Sequence, residues 1–263
     1  MDIDGARTLV TGATGGLGHA VARSVGAAGG IPVLTGRRAD VLDALAAEVA
    51  GEAIIADLSA PDAVESLVTR AGRIDVAIVN AALPATGDLM SFTPAEIERS
   101  LRVNLVTAVL LVRALLPGMT GRGRGHVVLV SSLAGKLASP GASVYAAAKF
   151  GLRGFGLALR QELRGTGVGV SVVSPGIIAE AGMFAETGVR PPRGVGTSTP
   201  GEVAAAVLRA IRRNRSEIDA APVTARIGAR LALVSPGLAA AMQRRAGADK
   251  LLARLADKQR DKR

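Results

Sequence analysis

The sequence contains no cysteine, no tryptophan, one tyrosine and two histidines. The absence of cysteine excludes disulfide bonds and thiolate-ligated metal sites. His19 and His126 are far apart in the sequence, so we predict no metal centre. The chain also lacks a continuous apolar run of the ~18 residues that a membrane span needs. Residues 1–7 do not show the basic and then apolar pattern of a signal peptide, and we therefore expect a cytoplasmic protein.

Acidic residues are scarce towards the C-terminus. Residues 207–263 contain 14 Lys and Arg against 5 Asp and Glu, a balance of +9 out of a total net charge of +10. We interpret this basic stretch as a solvated helix face, with weak attraction to an anionic membrane surface or to an acidic partner as the alternatives. Nucleic-acid binding is not expected, because the stretch has no aromatic residue that would stack on a base.

Aromatic residues make up only 2% of the 263 residues, whereas 49% are hydrophobic, so the core must be built from Ala, Val, Leu and Ile. Short apolar segments rich in β-branched residues alternate with helical segments, which predicts a doubly wound parallel sheet with helices on both faces. We expect one α/β domain over residues 1–225 and a basic extension over 226–263, with one or two helices broken at 235–237. The predicted strands are 7–11, 31–35, 53–56, 75–79, 126–131, 168–174 and 217–221; the predicted helices are 16–29, 40–50 (with Asp40 as N-cap), 61–71 (with Pro61 in its first turn), 94–116, 143–164 and 201–213.

A glycine-rich turn joins the first predicted strand to the first predicted helix. Gly12, Gly16 and Gly18 give the spacing G-x-x-x-G-x-G at this position. Backbone without side chains can approach a pyrophosphate closely, and the N–H groups of the following helix face it. The alternative is that the glycines serve only packing. We assign the turn to a dinucleotide, with contacts from Gly12, Thr14, Gly15, Gly16, Leu17 and Gly18.

Polar and small residues follow the next strands of the predicted sheet. Asp57 and Leu58 come after strand 53–56, where a carboxylate accepts a hydrogen bond from an adenine amino group. Asn80 and Ala81 follow the fourth strand, where small residues let a cofactor lie against the backbone. Because ligands of such folds bind beyond the carboxyl ends of the strands, these residues are predicted to line one crevice.

These motifs resemble those of the short-chain dehydrogenase/reductase family. Residues 11–18 are similar to its T-G-x-x-x-G-x-G fingerprint. Residues 80–82 resemble its N-A-G motif, with Ala82 in place of the usual glycine and Val79 in place of an asparagine that often precedes it. The resemblance covers roughly residues 5–221, and it implies that the domain has a Rossmann-type fold, binds NAD(P) and carries the catalytic groups of an oxidoreductase.

The end of the second strand bears on the choice of cofactor. NAD-binding folds usually place an acidic residue there to accept a hydrogen bond from the ribose 2′-hydroxyl, and Gly36 offers none. Arg37 is able to pair with a 2′-phosphate, and Arg38 adds positive charge. The sequence therefore favours NADP over NAD, with two merely solvated arginines as the alternative.

Tyr145 and Lys149 form a Tyr-x-x-x-Lys motif that contains the chain's single tyrosine. Residues four apart share a face of a helix, so the ammonium lies near the phenol. We expect this charge to lower the phenol pKa from its ordinary ~10, towards the range in which a general acid/base operates. A Tyr–Lys pair on a solvated helix face is the alternative.

The family resemblance extends to the other catalytic positions. It implies that Tyr145 exchanges a proton with the substrate oxygen, that Ser132 hydrogen-bonds the same oxygen, and that Lys149 binds the nicotinamide ribose and lowers the phenol pKa. Asn104 matches the family asparagine, which holds a water linking the lysine to solvent. Ser131 competes with Ser132 for the serine role, but its spacing from the tyrosine fits less well.

A proline–glycine pair follows the sixth strand, as in the family. The resemblance places Pro175, Gly176 and Ile178 at the cofactor. Glu180 stands where the family usually has a threonine that contacts the carboxamide, and Thr187 is a candidate substitute.

Apolar residues flank the expected site and indicate a lipophilic carbonyl or alcohol substrate, unless they serve only loop packing. The competing hypothesis is a cofactor-sensing or scaffolding protein that has lost the chemistry. We expect a homodimer or homotetramer, docking of the extension up to about residue 245, and exposed basic turns beyond it. The flanking residues are Leu83, Leu133, Leu137, Ile177, Ile178, Met183 and Phe184.

Overall fold

The computed structural model describes residues 1–189, 191, 196–245 and 247–259. A parallel sheet of seven strands, in the order β3-β2-β1-β4-β5-β6-β7, runs through the middle of the domain. This confirms the doubly wound architecture, and each predicted strand is found to within one residue at either end. The strands are β1 Arg7–Thr11, β2 Ile31–Gly36, β3 Glu52–Ile55, β4 Val76–Val79, β5 Gly125–Val130, β6 Val168–Pro175 and β7 Glu217–Ala220.

Helices cover both faces of the sheet and bury small apolar side chains against it. One face is covered by α1, α2 and α7, and the other by α3, α5 and α6. Ala and Val side chains let α1 and α7 pack closely, which explains how a core with so few aromatics is filled. The helices of the domain are α1 Gly16–Ala27, α2 Ala39–Glu48, α3 Ala63–Ala71, α4 Pro94–Leu101, α5 Thr107–Gly121, α6 Ser143–Glu162 and α7 Pro200–Arg213.

Two of these helices begin at the same local motif. At the start of α4, the Thr93 hydroxyl accepts a hydrogen bond from the Glu96 amide, and the Glu96 carboxylate accepts one from the Thr93 amide. Thr199 and Glu202 form the same reciprocal pair at the start of α7. A proline follows each threonine, where its missing N–H costs nothing.

Three local predictions are wrong. Asp40 lies inside the first turn of α2 rather than at its N-cap, which is Arg38. Pro61 precedes α3, which begins at Ala63. The single helix predicted over residues 94–116 is interrupted by a π-helical turn at Arg102–Val106 and extends to residue 121. A π turn is a local change of backbone hydrogen bonding that an apolar repeat does not reveal.

Residues 94–121 form a helical stretch that is long and apolar enough to cross a membrane. In this fold the stretch packs on the sheet, with Leu111, Val112 and Met119 completely or almost completely buried. Its hydrophobicity is therefore that of a core helix.

Three helices follow β7 among the described residues, where one or two were predicted, and the first begins before the predicted start of the extension at residue 226. They are α8 Val223–Val234, α9 Pro236–Arg245 and α10 Ala248–Gln259. The expected break at 235–237 separates α8 from α9. The residues beyond 245 were predicted to be exposed, but Leu255 and Gln259 are buried, so α10 docks on the domain. Residues 260–263, the end of the stretch that was predicted to be exposed, lie outside the described residues.

Candidate active site

A cleft of about 990 Å³ opens at the carboxyl ends of the strands. All the residues predicted to contact cofactor or substrate line it except Asn104, and so do the seven apolar residues that flank the expected site. The sequence-predicted cofactor and catalytic residues in its wall are Gly12, Thr14, Gly15, Gly16, Leu17, Gly18, Arg37, Asp57, Leu58, Asn80, Ala81, Ser132, Tyr145, Lys149, Pro175, Gly176 and Ile178.

The glycine-rich turn is sterically closed to side chains. Gly12 has φ +66°, and a Cβ atom there would lie 2.8 Å from the Cα of Ala81. A Cβ on Gly18 would lie 2.1 Å from the carbonyl oxygen of Gly12. Both positions therefore require glycine for packing, as the alternative interpretation held. The same geometry leaves bare backbone and the first turn of α1 facing the cleft, which fits a pyrophosphate.

Asn80 fixes the crevice between β1 and β4. Its backbone amide and that of Ala81 donate to the Thr11 hydroxyl at 2.9 and 3.0 Å, and its side-chain amide donates to the Thr11 carbonyl at 3.0 Å. These bonds hold two adjacent strand ends together, so Asn80 shapes the floor of the cofactor cleft.

The end of β2 leaves no room for an acidic side chain. A Cβ on Gly36 would lie 2.6 Å from the Thr14 methyl group. Arg38 donates a hydrogen bond to the Thr14 carbonyl, whereas Arg37 is exposed at the mouth of the cleft. Arg37 is thus the arginine that remains available to a ligand phosphate.

Asp57 lies in the wall of the cleft, after β3. Its Oδ1 accepts hydrogen bonds from the Ser59 amide at 3.0 Å and the Ser59 hydroxyl at 2.8 Å. Burial would raise the pKa of Asp57, but these bonds and the nearby charges of Arg37 and Arg99 outweigh it and lower the pKa below its ordinary value. Asp57 is therefore an ionised acceptor at neutral pH.

Tyr145 and Ser132 meet in the cleft. Ser132 lies after β5, where its hydroxyl accepts a hydrogen bond from the Ala134 amide at 3.1 Å and pairs with the Tyr145 phenol. The hydroxyl of Ser131 points away and donates to the Lys149 carbonyl at 3.0 Å. Of the two candidate serines, Ser132 is the one placed beside the phenol.

The expected lowering of the pKa of the Tyr145 phenol is wrong. Burial raises the pKa of Tyr145 to about 12, and the bond with Ser132 offsets only part of that rise. Lys149 is itself buried, which lowers its pKa to about 8. Its ammonium lies 5.6 Å from the centre of the Tyr145 ring and donates to the Val130 carbonyl at 3.1 Å. The phenol is therefore protonated at neutral pH.

Asn104 lies behind the wall of the cleft, within the π-helical turn. Its Oδ1 accepts a hydrogen bond from the Leu83 amide at 2.7 Å, and its Nδ2 donates to the Leu83 carbonyl at 3.0 Å and to the Ser100 hydroxyl at 3.2 Å. The side chain is therefore committed to holding the segment after β4.

A buried ion network anchors the segment that carries Ser132. Lys136 is 4% exposed, and its ammonium lies 2.5 Å from Asp219 and 3.1 Å from Glu217 on β7. Arg153 on α6 pairs with the same Glu217 at 2.6 Å. Burial would raise the pKa of Glu217, but Arg153 and Lys136 together lower it. The network joins the serine segment to β7 and to the helix that carries Tyr145.

The loop after β6 closes one side of the cleft. Ile178 forms a bridge with Ser198, and a Cβ on Gly16 would lie 2.5 Å from the Cβ of Ala181, so the loop touches the glycine-rich turn. Thr187 lines the cleft, but its hydroxyl donates to the Phe184 carbonyl at 2.6 Å. Glu180 is not part of the wall. Residues 190 and 192–195 of this loop lie outside the described residues.

Residues of α8 and α10 also line the cleft, and the sequence had not singled them out. Ala225 and Gly228 of α8 and Leu252, Leu255 and Gln259 of α10 line it. The Gln259 amide nitrogen donates to the Met183 carbonyl at 3.1 Å, and Gln259 Oε1 is buried without a partner among the described residues. The leucine spacing of α10 indicated an apolar face, but no sequence signal indicated what that face covers.

Known proteins share both this sequence pattern and this fold. Residues 6–190 match the family model for short chain dehydrogenases. The chain is 39% identical over 225 residues to a ketoacyl reductase, HetN, of Nostoc sp., covering 82% of this chain and 78% of that protein. It is 32% identical over 252 residues to dehydrogenase/reductase SDR family member 7B of Bos taurus, covering 88% and 78% of the two chains.

Among solved structures, a short-chain dehydrogenase from Sphingobium yanoikuyae in complex with NADPH superimposes with a TM-score of 0.77. It is 27% identical, with 88% of this chain and 95% of that chain covered. The four family catalytic positions are all occupied by the expected residue types, so a catalytically silent scaffold is not favoured. The chain belongs to the short-chain dehydrogenase/reductase family and is an oxidoreductase.

Proposed function

We propose that the protein interconverts a carbonyl compound and a secondary alcohol with NADP(H), on a lipophilic substrate. The observation that carries the proposal is the meeting of Ser132, Tyr145 and Lys149 in a cleft whose cofactor end is glycine-lined and whose other walls are apolar. When bound, the nicotinamide cofactor supplies or accepts the hydride.

The side chains divide the remaining work. Tyr145 donates its phenolic proton to the carbonyl oxygen during reduction and takes it back during oxidation. Ser132 donates a hydrogen bond to the same oxygen, since its hydroxyl lies beside the phenol and lowers the pKa of Tyr145. Lys149 binds the nicotinamide ribose and places a positive charge near the phenolate that forms. Asn104 acts as a positioning residue through Leu83.

The preference for NADP rests on the end of β2. Gly36 excludes a competing carboxylate because the Thr14 methyl group fills the space, and Arg37 is exposed toward the site of a 2′-phosphate. The NADPH complex of the Sphingobium dehydrogenase supports the same cofactor class. Calorimetric titration with NADPH and with NADH tests the preference, and equal affinities would contradict it.

The substrate we favour is a lipophilic ketone such as a 3-oxoacyl ester or thioester. The support is the apolar wall formed by Leu133, Leu137, Met183, Phe184 and Leu255, together with the ketoacyl reductase name of one relative. A screen of ketones and secondary alcohols of increasing chain length, each with both cofactors, tests this. Specificity constants should rise with chain length; a maximum at the shortest polar ketones would contradict the proposal.

We further propose a cytoplasmic homodimer or homotetramer. Val106 and Leu110 lie on or beside α5 and Phe150 lies on α6, and all three are exposed although these helices contact each other. Burial of such a patch in a second copy would remove it from water. Sedimentation velocity measures the assembly, and a monomer at micromolar concentration would exclude it.

A further inference from the structure

Helices α8 and α9 carry their large apolar side chains on the outside. The residues that they bury most completely are small, namely Ala229, Ala232 and Ala239. Val234 is 86% exposed and Ile227 is 60% exposed. This arrangement inverts the usual amphipathic helix, which turns its large apolar residues to the core.

The exposed residues form a stripe on each helix, and each stripe contains an arginine. Val223, Ile227, Arg230 and Val234 follow one another at intervals of four, three and four, which places them on one face of α8. Leu238, Met242 and Arg245 do the same on α9 with intervals of four and three. α8 contacts α9 and only Ser235 separates them, so the two stripes lie on adjoining helices, called the α8–α9 hairpin below.

The hairpin has an unbalanced positive charge. No Asp or Glu occurs from residue 220 to 248, whereas Arg226, Arg230, Arg244 and Arg245 fall in that stretch. Arg230, Arg244 and Arg245 are exposed. Arginine on an apolar face buries its methylene stem and extends its guanidinium to a polar layer, which is the composition of helices that lie in a membrane interface.

The hairpin lies beside the mouth of the cleft. Ala225 and Gly228 of α8 line the cleft, and Gln243 of α9 bonds to Ser139 and to the Ala138 carbonyl. The loop that contains Ser139 also holds the segment that begins at Gly87, because the Gly87 amide donates a hydrogen bond to the Gly141 carbonyl. That segment exposes two further large apolar side chains, Leu89 and Met90, the latter at 94%.

We propose that the α8–α9 hairpin docks on an anionic lipid surface and presents the mouth of the cleft to it. A second copy of the chain fits the surface less well, because a symmetric contact would bring the same arginines of both copies together. The charge and the apolar stripes are both required, which separates this contact from the purely electrostatic attraction of a solvated basic tail. The proposal does not depend on the proposed reaction, since docking requires no turnover.

The test is co-sedimentation with lipid vesicles. We expect the protein to bind vesicles of phosphatidylcholine mixed with phosphatidylglycerol and to bind vesicles of phosphatidylcholine alone much more weakly. The variant Ile227→Ser/Val234→Ser/Leu238→Ser should bind the anionic vesicles at least tenfold more weakly, because each buried apolar side chain contributes on the order of tenfold. Arg230→Gln/Arg245→Gln should lower binding about fivefold per arginine.

Matched controls are Ile31→Ser, an exposed isoleucine at the start of β2, and Arg213→Gln, an exposed arginine at the end of α7. Both should bind as the wild type does. Sedimentation velocity should give the same assembly for the triple variant as for the wild type, and NADPH binding should be unchanged.

Three results would overturn the proposal. The first is that the wild type does not bind anionic vesicles. The second is that the triple variant binds them as the wild type does, which would leave charge attraction as the only cause of binding. The third is that the triple variant has a different assembly state, which would make the hairpin a contact between copies.

Discussion

The substitution Lys136→Met tests whether the buried ion network holds the serine segment. Lys136 and Asp219 are 4% and 7% exposed and lie 2.5 Å apart, so the substitution leaves a buried carboxylate without its ammonium partner. Removal of one member of such a pair costs about 3–5 kcal/mol of the free energy of unfolding. Glu217 keeps Arg153 at 2.6 Å, so most of the cost should arise at Asp219.

Equilibrium unfolding in guanidinium chloride measures this cost as a shift of the midpoint at constant slope. The double variant Lys136→Met/Asp219→Asn should recover most of the loss, because a neutral amide replaces the unpaired charge. Arg23→Met is the matched control, since it breaks the exposed pair with Glu48 and should change the midpoint very little. If Lys136→Met cost no more than the control, or if the double variant recovered nothing, the reasoning would be refuted.

Three further outcomes are expected. In calorimetric titration, Arg37→Ala should weaken NADPH binding about tenfold or more, because the loss of one charge-assisted hydrogen bond has a free energy of about that size. NADH binding should be unchanged. The pKa of His126 is lowered by burial to about 3. Between pH ~6.5 and about 3, the unfolded chain therefore binds a proton that the folded chain excludes. As the pH is lowered through this range, the free energy of unfolding should fall by ~1.4 kcal/mol per pH unit. His126→Asn should reduce that slope in denaturant titrations, and an identical slope would contradict the assignment. Removal of residues 247–263 should raise the KM for long-chain substrates, because α10 supplies Leu255 and Gln259 to the cleft. The affinity for NADPH should be retained. An unchanged KM would show that α10 does not shape the substrate site.

The catalytic group was predictable because its members have fixed local relations. Tyr145 and Lys149 lie four residues apart on one helix, and Ser132 follows a strand that ends at the same edge of the sheet. The parallel topology then brings these residues to the glycine-rich turn. Local periodicity and strand order therefore predict that these residues meet, once the resemblance to the family has identified Ser132 as one of them.

Other features depend on contacts between distant residues, which local patterns do not specify. Lys136 and Asp219 are 83 residues apart, and neither has a neighbour that identifies its partner. The leucines of α10 define an apolar face but not the cleft that it covers. The pKa of Tyr145 was misjudged for a related reason, because burial raises it and burial follows from the whole fold.

The predicted docking of the stretch up to about residue 245 is found, since Ala229, Ala232 and Ala239 are buried, but the prediction that the remainder is exposed is wrong for Leu255 and Gln259. In α8 and α9 the small alanines face inward and the large residues outward, whereas the described part of α10 packs over the cleft. A helical repeat shows that a face exists. It does not show whether alanines or larger residues meet the protein.

The comparison of wild type with Tyr145→Phe tests the central claim most directly. NADPH consumption is followed by absorbance with a ketone that the wild type reduces, alongside NADPH binding by calorimetry. Removal of the phenolic proton donor should lower kcat by about 10²–10⁴-fold and leave the Kd for NADPH nearly unchanged. Turnover of Tyr145→Phe close to that of the wild type would contradict the assignment of Tyr145 as the general acid/base.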